Sequence, residues 1–198
     1  MIRALLLLTL PVALLAQDSA HWGVQGDYFK GSVPSVIVEQ IKDLPEVPDI
    51  DAKIYNAGLV RFHANGSPSW ALEFTRTNMS LSGGLNTGPM RQELRGNADV
   101  RAAMITKYLN FYSNRYFSAG LAFGGGAGQV EAHYYRYQVP PGPSVFTDQD
   151  SVDRWVPVFQ GLAQVDIRPV RWVSISPFYG MRNGSLGAGA ALRIHFTR

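Results

Sequence analysis

The chain has 198 residues, 18 basic against 15 acidic for a net charge of +3, and no cysteine. That length is one domain's worth, and the lack of thiols excludes both a disulfide framework and lipid attachment at an N-terminal cysteine. The pI is near 9.3, yet the basic residues are spread along the chain, and no Lys/Arg cluster marks a nucleic-acid site.

The opening residues, MIRALLLLTLPVALLAQ, place Arg3 before an apolar run that ends at small Ala16. This order describes a secretory signal peptide over residues 1–16. The run from Ala4 to Ala16 is 13 residues and contains Pro11, too short for the ~20 that a spanning helix needs. Residues 17–198 then form one domain, in which no later stretch approaches the length of a transmembrane helix.

From there the period is two. Eight strands are predicted, at about residues 20–30, 52–63, 69–80, 95–111, 115–127, 153–167, 171–181 and 185–196. In the sixth, Trp155, Phe159, Gly161, Ala163, Val165 and Ile167 alternate with Gln160, Gln164, Asp166 and Arg168. The seventh sets Val173, Ile175, Pro177 and Tyr179 against Ser174, Ser176 and Gly180. The eighth sets Leu186, Ala188, Ala190, Leu192, Ile194 and Phe196 against Gly187, Gly189, Ala191, Arg193 and His195. Asn183-Gly184 between the last two is a hairpin signal, because a type I′ turn needs positive φ at both central residues. The glycines of GGGAG, 124–128, offer an alternative turn that splits strand five, which together with a second split within 33–41 would raise the count to ten strands.

The connections alternate. Those at 31–51, 81–94 and 128–152 are long and rich in Pro, Gly and Asp, whereas ANGSP, YSN and RPV are short. Strand five has a second course, continuing past its glycines as an arm through QVEAHYYRYQV. Long loops at one end and tight turns at the other predict an antiparallel up-and-down transmembrane β-barrel with both termini on the tight-turn side.

Aromatic residues gather at the tight-turn ends: Trp22, Phe62, Trp70, Phe111 and Tyr112, Tyr116 and Phe117, Trp172, and Phe196. With 12% aromatics, a three-residue window holds one by chance roughly a third of the time. Seven of eight strand ends carry one, as an interfacial girdle would require, since Trp and Tyr settle at headgroup level. Tyr28, Trp155 and Tyr179 mark a sparser opposite rim. The expected inward face carries Glu73, Thr75, Arg101, Gln160, Gln164, Asp166, Arg168, Arg193 and His195 as a lumen polar network, because buried charge has to be paired. A narrow polar path for water or ions is the other reading of those residues.

The closing GAALRIHF, with large apolar residues alternating up to Phe196, resembles the C-terminal signal by which outer-membrane barrels are recognised for assembly. Residues 17–198 resemble the small eight-stranded bacterial outer-membrane β-barrel proteins, the OmpA transmembrane domain, OmpX and OmpW among them. Thr197 and Arg198 follow the aromatic, where that family usually ends on it. The resemblance implies residence in the bacterial outer membrane, contact with its lipid, and recognition of the last strand by barrel-assembly machinery.

Chemistry is sparse. A lipid-modifying barrel enzyme needs a histidine beside a serine and an acid. Of His21, His63, His133 and His195, only His195 has a hydroxyl two residues on, at Thr197. No His-x-x-x-His pair has metal-ligand spacing. GGGAGQ lacks the Lys-Ser/Thr and helix of a phosphate loop. Asn78-Met79-Ser80 and Asn183-Gly184-Ser185 match acceptor spacing for glycosylation, the second serving as a hairpin turn. The expectation is a non-enzymatic barrel without cofactor or metal, acting structurally, through surface interaction, or by restricted passage of small molecules. Alternatives are a lipid-modifying enzyme, or a soluble secreted barrel that binds a small hydrophobic ligand.

Overall fold

The computed structural model describes residues 20–33, 49–87, 90–139 and 145–196. Eight strands follow in chain order: β1 (His21–Ser32), β2 (Asp49–Phe62), β3 (Pro68–Thr87), β4 (Met90–Ser113), β5 (Phe117–Val139), β6 (Val145–Val170), β7 (Val173–Arg182) and β8 (Ser185–His195). Each pairs antiparallel with its neighbour, and β1 pairs with β8 from Gly23↔His195 to Ser32↔Leu186. The result is the expected eight-stranded, closed, all-β up-and-down barrel. Ten strands are ruled out, because Gly124–Gly128 run straight through β5, paired with both β4 and β6.

The stagger of the ring follows from its register. Starting at Ser32, hydrogen-bonded partners lead through Leu186, Met181, Gly161, Phe123, Lys107, Trp70 and Arg61 to Trp22. One circuit thus returns to β1 ten residues from its start, 32 − 22 = 10. With eight strands ~4.8 Å apart rising ~3.3 Å per residue, that shear gives a tilt of about 41° and a backbone radius of about 8 Å. An interior of that width is filled by side chains.

Local chemistry fixes the tight turns. Asn183 has φ 50° and Gly184 φ 78°, the two positive values that a type I′ turn demands. The Asn65 side chain accepts from the Ser67 amide at 3.0 Å, and Asn114 accepts from the Tyr116 and Phe117 amides at 2.8 Å. These are Asx turns, in which a short side chain replaces a backbone acceptor.

Two of the three long connections are strand rather than loop. β3 reaches Thr87 before β4 begins at Met90, and β5 reaches Val139 before β6 begins at Val145. The arm through residues 129–139 is therefore present. Their Gly and Asp content reads as loop in isolation, but a partner strand on each side of β4 and β5 supplies pairing that local propensity does not. Residues 34–48 of the first connection, the signal segment and Thr197–Arg198 lie outside the described residues.

Strand length divides the barrel. β1, β7 and β8 have 12, 10 and 11 residues, while β3 to β6 have 20, 24, 23 and 26. Crossing a bilayer takes ~9–11 residues per tilted strand. The four central strands are about twice that and stand beyond the ring as a ribbon. β6 meets β7 only from Gln160 onward.

Gly189 shows how closely the wall is fitted. A Cβ there would lie 2.5 Å from Cζ of Phe178, whose ring stacks on Phe29 with centroids 6.1 Å apart. Gly189→Val should cost about 1–3 kcal/mol through overpacking. The expected readout is a lower urea midpoint for the refolded barrel, with outward-facing Ala188→Val near wild type.

Candidate functional site

The two faces of the sheet have opposite characters. Outside, Phe111 is 73%, Trp155 72% and Ile105 65% exposed, along with Phe74, Tyr112, Phe123, Phe159, Trp172, Ile175, Tyr179, Leu192, Ile194 and Phe196. Inside, Gln25, Asp27, Asn56, Glu73, Thr75, Thr106, Gln160, Gln164, Asp166, Arg182 and Arg193 are all buried. A protein folded in water places its large apolar groups the other way round.

The interior is one continuous network. At its centre is Glu73 on β3, fully buried. It accepts from Gln25 Nε2 at 2.5 Å, Gln160 Nε2 at 2.7 Å, Thr106 Oγ1 at 2.9 Å and the Tyr108 hydroxyl at 3.2 Å. Towards the ribbon end, the Arg182 guanidinium pairs with Asp27, its Nε donates to Gln160 Oε1 at 2.6 Å, and Asn56 donates to Asp27 at 2.7 Å. Towards the tight-turn end, Arg193 pairs with Asp166 and donates to Gln25 and Gln164 at 3.0 and 3.1 Å. Asp166 also accepts from Ser118, at 3.0 Å, and from Ser176. Every carboxylate here has several donors, the condition for burying charge at tolerable cost. Apolar side chains fill the space between: Phe29, Ile54, Met104, Val158, Leu162 and Phe178 are buried. Arg182 lies 5.1 Å over the Phe178 ring and Arg193 5.2 Å over Tyr108, at cation–π distance.

Seven of the predicted lumen residues turn inward: Glu73, Gln160, Gln164, Asp166, Arg168, Arg193 and His195. Thr75 joins them. Arg101 does not. Its side chain is 60% exposed on the outer face, beside Asp99 at 3.4 Å and Glu131 at 3.7 Å. It shares a face with Ala103 and Ile105, while Val100, Ala102 and Met104 point inward. Both faces of that stretch are apolar, so parity could not be read from residue type. Past the apolar zone, an outward charge meets water instead of needing a lumen.

Among the aromatics, Phe111, Tyr112, Tyr116, Trp172 and Phe196 are exposed at the tight-turn end. Trp22, Trp70 and Phe117 are half-buried there, Trp22 edge-on to Trp70 at 5.0 Å and Phe117 tilted against Tyr112 at 5.9 Å. Phe62 is the exception. It is fully buried, inward with Ile54 and Val60, and stacks on His195 at 3.9 Å. Sharing the parity of those inward neighbours, it belongs to the core.

Several network members went unrecognised in the sequence: Gln25, Asp27, Asn56, Tyr108 and Arg182. Gln25 and Asp27 do alternate with Val24 and Tyr28, and Arg182 directly precedes the Asn-Gly turn. These are signals of facing, but not of partner. Another contact was also unforeseen. His195 lies 3.1 Å from Ser174 Oγ through Nε2 and 3.1 Å from His21 Nε2 through Nδ1. That spacing is within nucleophile–base reach, but Ser174 is buried and does not line the cavity at the tight-turn mouth.

That mouth is the remaining feature. A cavity of about 1240 Å³ opens between the tight turns, with Arg168 at its floor and Arg115, Arg171, Trp22, Tyr116 and Phe196 around it. Arg168 donates to the Asn65 carbonyl at 2.9 Å and the Asn114 carbonyl at 2.6 Å, tying two turns together.

Closed sheet, charged interior and apolar exterior together define an eight-stranded barrel of inverted polarity. No family model matches the chain, and no curated protein matches it. Among solved structures, it is similar to Neisserial surface protein A, with TM-score 0.40 and 13% identity over 90% of this chain and 100% of that one. It is also similar to Ail, the attachment invasion locus protein of Yersinia pestis, with TM-score 0.40 and 15% identity over 91% of this chain and 100% of that one. The complex of Ail with the heparin analogue sucrose octasulfate gives 0.41 and 13%, over 90% and 99%. At these values no residue role transfers.

Removing one partner of the Arg193–Asp166 pair strands a buried charge. Arg193→Met alone should therefore destabilise the refolded barrel by about 3–5 kcal/mol. Combining it with Asp166→Leu should recover part of that loss, measured as urea unfolding midpoints of the two variants and wild type.

Proposed function

We propose that this chain is an integral outer-membrane β-barrel, exported by its N-terminal segment, that acts without catalysis by presenting its protruding ribbon at a surface. The observation that carries this reading is the inverted polarity. An exterior of Phe, Trp, Ile, Leu and Tyr around a closed sheet exceeds the apolar patches that a water-soluble monomer tolerates, and lipid is the solvent that such a wall fits. Closure makes this possible, because in hydrocarbon every backbone N–H and C=O has to be bonded within the protein. Exposed aromatics at the tight-turn end supply an interfacial girdle, with Tyr28, Tyr55, Trp155 and Tyr179 at the other rim. Tight turns on the periplasmic side put β3 to β6 outward. The outward Leu192, Ile194 and Phe196 of β8 are the residues offered to the assembly machinery.

The soluble-binder reading needs large apolar residues around an internal pocket, whereas charged and amide side chains occupy this interior. Passage of solutes is disfavoured for the same reason, since Arg182, Arg193, Glu73 and the rings of Phe29 and Phe178 occupy the lumen.

Detergent-folded protein should migrate faster on gels unboiled than boiled, and protease added to intact cells should cut only within 31–51, 81–94 or 128–152. Recovery in the soluble periplasmic fraction would overturn the reading. In planar bilayers, the wild-type barrel should give no stepwise conductance.

A further inference from the structure

Among the described residues, basic side chains outnumber acidic ones at the tight-turn end. Residues 57–72, 104–121, 163–175 and 190–196 contain Arg61, Lys107, Arg115, Arg168, Arg171 and Arg193, against one acid, Asp166. That acid is already engaged by Arg193, Ser118 and Ser176. Arg168 is buried, 5% exposed, and among the described residues no carboxylate lies within ion-pair distance of it. Among the described residues, it donates to the main-chain carbonyls of Asn65 and Asn114, and its buried Nε has no partner.

The turn-tying role accounts for two donors of a guanidinium that has five. It does not account for the idle Nε, nor for Arg115 and Arg171 standing exposed at the same cavity. A buried cation lacking a counter-ion is costly. The cavity beside it, about 1240 Å³, has room for an anion. All three charged groups lining it are guanidiniums, whose planar forks match the oxygens of a phosphate. Trp22, Tyr116 and Phe196 border the same space and can carry an apolar remainder.

We propose that the tight-turn mouth is a binding site for a phosphate-bearing ligand, with Arg168 at its floor and Arg115 and Arg171 at its rim. A lipid headgroup and free phosphate share that chemistry. The site needs only the folded barrel, so it stands apart from the surface role proposed above.

The test uses the full chain refolded in octyl glucoside, its fold checked by circular dichroism and by gel mobility before heating. Isothermal titration with dihexanoyl phosphatidic acid should show one site, and dioctanoylglycerol, which lacks the phosphate, should show none. The Arg115→Gln/Arg171→Gln variant alters exposed side chains and should fold normally, yet bind at least about tenfold more weakly through lost charge-assisted bonds. Arg154→Gln, an exposed cation on β6 away from the mouth, should bind as wild type. Arg168→Lys keeps the charge but loses the fork, and should weaken binding as well. If that variant fails to fold, the rim pair decides. Inorganic phosphate binding as tightly as the lipid assigns the site to free phosphate, and much weaker binding assigns it to a headgroup. Equal affinity in wild type and the rim variant, or equal binding of the diacylglycerol, would overturn the proposal.

Discussion

Everything in this molecule depends on the seam between β1 and β8. Ten residue pairs, Gly23↔His195 to Ser32↔Leu186, join the first strand to the last. A sheet with that seam open would display two rows of unpaired amides and carbonyls, and no apolar solvent could wet it. With it closed, the wall shows only side chains. The exterior is then free to be apolar, and the interior, only about 8 Å in radius, has to take the polar ones.

The parts that were legible in the sequence depend on parity, on turn chemistry and on the alternation of long and short connections. β7 and β8 alternate without interruption to the last aromatic, so their faces, their turn and their inward Arg193 and His195 follow from spacing two. Parity failed where both faces look alike. Arg101 lies in a stretch of β4 that is apolar on either side, and Phe62 closes a strand whose inward residues, Ile54 and Val60, are as greasy as its outward ones. Partnership was not legible at all. Asp27 and Arg182 are 155 positions apart, and Ser174 reaches His195 across adjacent strands. Spacing says that each faces the lumen; only the stagger of the ring decides which meet. The ribbon, beyond the arm of strand five, was hidden for a different reason. Its Gly, Asp and Pro content resembles loop until a neighbouring strand is laid beside it.

The two ends of the barrel are electrostatically unlike. The ribbon end mixes signs, with Arg76 and Arg101 set beside Asp99 and Glu131 on the outer face. The tight-turn end collects arginines around a hollow. Between them, the Asp27–Arg182 and Arg193–Asp166 pairs flank an uncharged set of amides and hydroxyls gathered on Glu73. The middle thus sets two arginines against three carboxylates, Glu73 being held by neutral donors alone, and the positive surplus sits at one opening.

Glu73 has a further consequence for how the chain becomes a barrel. Two of its four donors, Thr106 and Tyr108, come from the adjacent β4, but Gln25 of β1 and Gln160 of β6 reach the carboxylate only when the sheet has curled. A half-built sheet would hold that group among greasy neighbours with half of its partners absent. Partial assemblies are thereby penalised, and the last step of curling is rewarded all at once. The acid in the middle works as a proofreader of circularity, and favours a chain that is either fully round or not yet built.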